Sequence, residues 1–117
     1  MAKKAGYDME RLFRALGNET RLRLLSLIGE REVCVCELVT ALGLPQPKIS
    51  QHLACLRSAG VVEARREGKW MHYHMVRPAH EGAGEVLDAT LAWLQGDVRM
   101  AVTRGKAQRG CCRSSAV

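Results

Sequence analysis

The chain has 117 residues, 47% of them hydrophobic, and a formal net charge of +6. That length suits one domain with a modest core and gives no reason to expect a second. No apolar run approaches the ~20 residues of a membrane span, and Met1-Ala2-Lys3-Lys4-Ala5-Gly6 leads into a polar amphipathic segment rather than an apolar signal region. A cytoplasmic protein with no membrane partner is expected. The five cysteines, Cys34, Cys36, Cys55, Cys111 and Cys112, should then be reduced, and two close pairs point to soft-ion or redox chemistry rather than a disulfide framework.

In chain order, Met9, Leu12, Phe13 and Leu16 recur at helical spacing, and Gly17 ends that first helix. Asn18 is a suitable N-cap for a second helix that buries Leu22, Leu25 and Ile28, with Leu24 and Leu27 alongside, up to Gly29. Glu30 to Val35 reads as an extended connector. A third helix starts near Cys36, packs Leu38, Ala41 and Leu42 inward, and stops at Gly43. Pro47 suits the first turn of a fourth helix, whose buried stripe is Ile49, Leu53 and Leu56. Two helices joined by Gly-Leu-Pro-Gln-Pro make a helix-turn-helix.

After Gly60, Val61 to Arg66 and Trp70 to Val76 read as two strands around Glu67-Gly68-Lys69, a hairpin of the kind that forms a wing. His72 and His74 share one face of the second strand and are expected to line the wing. Residues 45–77 carry six basic side chains (Lys48, Arg57, Arg65, Arg66, Lys69, Arg77) against Glu63 and Glu67. That excess falls where phosphate contacts would be needed. The expected DNA-binding residues are Gln46, Lys48, Ser50, Gln51, His52 and Arg57 around the fourth helix, with Lys69 on the wing. His52 could equally serve packing.

Past Pro78, a last helix is expected from about Ala83 to Met100. Leu87, Leu91, Leu94 and Val98 form one apolar stripe, and Val86, Ala89 and Trp93 a second that needs another surface, most cheaply a second copy of the chain. Thr103 to Val117 is rich in Gly, Ser and Arg without periodicity. The expected division is therefore residues 1–102 as the DNA-binding and dimerisation domain and 103–117 as a basic, Cys-containing mobile tail.

Several of these stretches resemble one family. Leu16-Gly17-Asn18-Glu19-Thr20-Arg21-Leu22-Arg23-Leu24-Leu25 is similar to its second-helix signature, and Val33-Cys34-Val35-Cys36-Glu37-Leu38 to its metal-binding box. Gln46-Pro47-Lys48-Ile49-Ser50-Gln51-His52-Leu53 resembles its recognition helix, and Glu67-Gly68-Lys69-Trp70-Met71-His72-Tyr73 its wing. Over about residues 8–96 the chain resembles the ArsR/SmtB family, most closely the arsenite- and antimonite-sensing branch. The resemblance implies a mainly α winged helix-turn-helix with a small β-hairpin, dimeric through its terminal helices. It also implies a repressor of its own resistance operon that leaves operator DNA when trivalent arsenic or antimony binds. No cofactor is then required beyond that inducer. The branch often carries a third cysteine three residues after the second, where this chain has Val39.

Cys34 and Cys36 are the expected metalloid ligands. A soft ion with a lone pair takes two or three thiolates, whereas structural zinc takes four donors. A helix N-terminus favours the thiolate form that binds. Residues two apart on a helix point about 200° apart, so capture by both sulfurs is expected to unwind or twist the start of the third helix. Cys111 and Cys112 either complete the site, bind a second ion, or are incidental. Cys55 is expected to pack. The alternatives are a cadmium, lead or zinc sensor of the same family, or a thiol redox or persulfide switch. An enzyme is not expected, since no phosphate loop, catalytic constellation or Cys-x-x-Cys at a strand–helix junction is present.

Overall fold

In the computed structural model, Asp8 opens α1 (Met9–Leu16) by accepting the Arg11 amide on its carboxylate at 3.1 Å. Residues 8–107 are described. Asn18 caps α2 (Glu19–Ile28) in the same way, accepting the Arg21 amide at 3.1 Å, as its position implies. The expected connector contains a two-residue strand, β1 (Val33–Cys34), which runs directly into α3 (Val35–Leu42). Gly43 stops α3 at φ 68°, a left-handed conformation that glycine adopts at little cost. Pro45 caps α4 (Gln46–Ser58), with Pro47 in its first turn.

Strands β2 (Val62–Glu67) and β3 (Trp70–Met75) form the hairpin, closed by the turn at Gly68 and Lys69. They pair antiparallel from Val62 opposite Met75 to Glu67 opposite Trp70. β1 adds to the free edge of β3, with Val33 opposite Tyr73 and Cys34 opposite His72, so the sheet order is β1-β3-β2. The hairpin expected from sequence is thus a three-stranded antiparallel sheet.

The core is aliphatic. Leu12, Leu24, Leu25, Ile28, Leu38, Ile49, Leu53 and Leu56 are fully buried, joined by Val33 and Val61 from the sheet side. The α4 helix packs on α1, α2, α3 and β2, which fixes its orientation in the domain. In α1 the expected four-residue stripe divides. Leu12 and Leu16 enter the core, while Met9 and Phe13 stay 63% and 52% exposed.

The expected last helix is two helices, α5 (Glu81–Gln95) and α6 (Val98–Ala107), separated at Gly96-Asp97. The break takes Val98 off the inward stripe of Leu87 and Leu94 and leaves it 76% exposed. Helix α6 continues through Thr103, where the sequence suggested a tail. Met100 and Thr103 pack inward although the segment looks too polar to fold. It lies against α2 and α3. Arg99 faces Glu19 at 3.6 Å and Arg23 reaches the Thr103 hydroxyl at 3.2 Å, so α6 runs alongside α2 in the same direction. None of the described helices is long and apolar enough to cross a membrane.

Candidate thiolate site and nucleic-acid interface

Cys34 ends β1 and is the N-cap of α3, with extended backbone (φ −73°, ψ 143°), while Cys36 lies in the helix's first turn. Their sulfurs stand 3.1 Å apart. The expected 200° separation does not arise, because it holds for two residues that are both helical. With Cys34 in strand geometry the two thiols converge while α3 keeps its first turn. Cys34 is buried and Cys36 half-buried. The distortion of α3 expected from sequence is therefore not needed to bring the two sulfurs together.

Two ion pairs flank the thiols. Arg31 meets Glu37, in the first turn of α3, at 2.9 Å, and Arg65 of β2 meets Glu32 at 2.6 and 2.9 Å. The hydrogen bond from Arg65 holds the Glu32 carboxyl below its usual range against a smaller opposing effect of desolvation. His72, buried on β3, is the cross-strand neighbour of Cys34, so thiol and imidazole share one face of the sheet. His74, two residues on, stands 3.8 Å from Glu32 and 3.7 Å from Glu63. Sequence reading placed both histidines on the wing but not beside the thiols, since nothing local marks a two-residue strand. Among the described residues, no three His, Cys, Asp or Glu side chains cluster closely enough to hold a metal. Cys111 and Cys112 lie outside the described residues. Cys55 is half-buried against the core, in keeping with packing.

Helix α4 buries Ile49, Leu53 and Leu56 and leaves Gln46, Lys48, Ser50, Gln51 and Arg57 exposed. Lys69 is exposed at the wing tip, its ammonium 5.8 Å from the Trp70 ring centroid. The polar face of α4 and the tip of the hairpin thus offer the donors expected of a DNA-reading surface. His52 sits apart from the exposed set. It is half-buried, and its Nδ1 lies 3.2 Å from Nη1 of Arg21. Burial first, then the charges of Arg21 and Lys48, hold its pKa below the ordinary value. Arg21 also donates through Nε to the Ala15 carbonyl at 2.8 Å and through Nη2 to the Arg14 carbonyl at 2.9 Å. One guanidinium therefore ties the end of α1 to α4, a role no sequence pattern announced.

A helix-turn-helix followed by a basic two-stranded wing, on an aliphatic core, defines a winged-helix DNA-binding regulator. The model for "Bacterial regulatory protein, arsR family" matches residues 18–64, from the cap of α2 into β2. The "Arsenical resistance operon repressor" of Escherichia coli is 41% identical over 105 residues, covering 89% of each chain. The chain therefore belongs to the ArsR family of transcriptional repressors. It is also similar to the "HTH-type transcriptional repressor SmtB" of Mycobacterium tuberculosis, at 44% identity over 67% of this chain and 56% of that one. Among solved structures, a homodimeric winged helix-turn-helix DNA-binding domain from Mycobacterium bovis is 32% identical and superposes with a TM-score of 0.60 over 74% of this chain and 77% of that one.

Proposed function

We propose that this repressor binds operator DNA as a homodimer in the cytoplasm and is released when arsenite or antimonite binds Cys34 and Cys36. The 3.1 Å sulfur contact carries the reading. Taking ~2.3 Å as the length of a thiolate bond to a borderline-soft ion, sulfurs that close subtend about 85° at the ion. That suits a pyramidal centre with a lone pair. A tetrahedral ion with the same bond length needs ~109° and a sulfur separation near 3.8 Å, so the pair would have to spread for zinc.

The same geometry bears on release. An inducer that finds both sulfurs already placed gains nothing from moving α3, and without differential affinity it shifts no equilibrium. We assign the shift to a third donor. Val39 occupies the turn after Cys36 and cannot ligate. Cys111 and Cys112 follow Ala107 by four and five residues, a reach of up to ~18 Å in extended chain, and α6 itself lies against α3. One of them, from the same chain or the other protomer, supplies the third thiolate. Drawing it in pulls the β1–α3 junction and with it α4, which must match grooves ~34 Å apart in the dimer. Gln46, Lys48, Ser50, Gln51, Arg57 and Lys69 make the DNA contacts, with His52 at the margin. Phe13 and Trp93, 52% and 76% exposed, mark the apolar surface that a second copy covers.

Fluorescence anisotropy of labelled operator, in a non-thiol reductant, tests this with arsenite, antimonite, cadmium and zinc. Wild type should release DNA with the two metalloids, and Cys34→Ser/Cys36→Ser should not. Cys111→Ser/Cys112→Ser should still bind arsenite yet fail to release. Unchanged release in the first variant would end the assignment of the pair. Normal release in the second would remove the tail from the switch. Response to cadmium or zinc alone would refute the metalloid reading.

A further inference from the structure

A half-enclosed cavity of about 540 Å³ lies away from both the thiols and the reading helix, between the end of α2, the end of β3, the inward face of α5, and α6. Its volume falls within the range of small-molecule sites. Leu25, Met75, Val76, Leu87, Leu91 and Leu94 give it an apolar body. The charges at its mouth are unevenly satisfied. Arg77 is neutralised by Asp88 at 2.9 Å, lying across α5 where Gly84 has no side chain. A Cβ on Gly84 would stand 2.5 Å from the Arg77 guanidinium.

Arg104, half-buried on α6, is different. It donates to the Ser26 hydroxyl and to the Gln95 carbonyl and makes no ion pair among the described residues. Both of its partners are neutral, so the cation is held in place without being neutralised. Among the described residues Glu30 is the one other charged group of the lining, and it sits exposed in water, where its field is screened.

We propose that this cavity is a binding site for a small amphipathic monoanion. The apolar body lies among the leucines, and one carboxylate-like group sits against Arg104. A guanidinium already oriented by two neutral acceptors has little left to lose on meeting a carboxylate. An occupant would touch α2, β3, α5 and α6 together. It would therefore bear on the wing, through β3, and on the helix that lies over α3.

Octanoate is the probe, compared with octanol and octylammonium, on the full reduced chain without metalloid, by calorimetric titration and thermal shift. Octanoate should bind at about 0.1–1 mM, set by burial of an eight-carbon body against the cost of association. Octanol should bind about tenfold more weakly, the size of one charge-assisted hydrogen bond, and octylammonium least. Arg104→Gln should bring octanoate down to the octanol level and leave octanol unchanged. Leu91→Trp, which fills the apolar body, should weaken both. Cys34→Ser/Cys36→Ser should bind octanoate like wild type, so this site stands or falls apart from the metalloid reading. Equal binding of octanoate and octanol, preference for octylammonium, or an Arg104→Gln variant that still prefers octanoate would each overturn the proposal.

Discussion

Replacing Arg21 with methionine keeps the apolar stem and removes the guanidinium that joins α1 to α4. Two charge-assisted bonds are lost, to the carbonyls of Ala15 and Arg14 at 2.8 and 2.9 Å, together with the contact to His52. Hydrogen bonds to charged groups contribute about 1.5–3 kcal/mol each, and partial exposure reduces that, so a total loss of about 2–3 kcal/mol is expected. Urea unfolding followed by circular dichroism, at one fixed protein concentration because a dimer's stability depends on it, measures the loss. His52 supplies a second readout. Burial, Arg21 and Lys48 together favour its neutral form, so the unfolded chain takes up that proton more readily than the folded one. Folding is therefore favoured above the ordinary imidazole value of 6.5 and loses that contribution as pH falls. In Arg21→Met the second-largest cause is gone, so the His52 pKa measured by NMR should rise towards 6.5 and the acid-side loss should shrink. A stability change under about 0.5 kcal/mol, the scale of an ordinary surface substitution, with an unmoved imidazole would refute the clamp.

Gly43→Ala should lower stability by about 1–2 kcal/mol, since φ is 68° with nothing within 4 Å of the added Cβ, leaving backbone strain as the whole cost; a thermal melt checks it. Trp93→Glu should shift sedimentation towards monomer, and operator affinity should fall with it, while the monomer keeps its helical circular dichroism because the ring is 76% exposed. Lys69→Gln should reduce the slope of log affinity against log salt by about 0.9 per protomer if the ammonium meets a phosphate. An unchanged slope would take the wing lysine off the DNA.

Helices α1 to α4 were legible because their limits are written locally. Asn18 is a cap, Gly43 and Pro47 punctuate the turn, and Ile49, Leu53 and Leu56 repeat at helical spacing. The hairpin showed itself through Gly68. What escaped depended on tertiary contact. Strand β1 is two residues long and exists only because β3 offers a free edge. Helix α6 buries Met100 and Thr103 and packs against α2 and α3, which its composition does not announce. The thiol pair was found from composition and spacing, yet its geometry was misjudged, because the helical rule was applied across a boundary where one residue is strand and the other helix. Arg21 looks like any solvated arginine until the fold brings His52 beside it.

The sheet is not uniformly secured. Six pairs join β2 to β3, from Val62 opposite Met75 to Glu67 opposite Trp70, whereas β1 is held by the two pairs Val33 to Tyr73 and Cys34 to His72. Few paired residues favour local opening, and within the sheet the shorter ladder belongs to the strand that bears a thiol. Fraying of β1 would expose Cys34 with the six pairs of the hairpin still formed. Amide exchange at Val33 and Cys34 should therefore outpace that in the middle of β2, and thiol trapping should follow the same fast opening rather than global unfolding. Cys34 thus sits on the edge of the sheet that the fewest strand pairs secure.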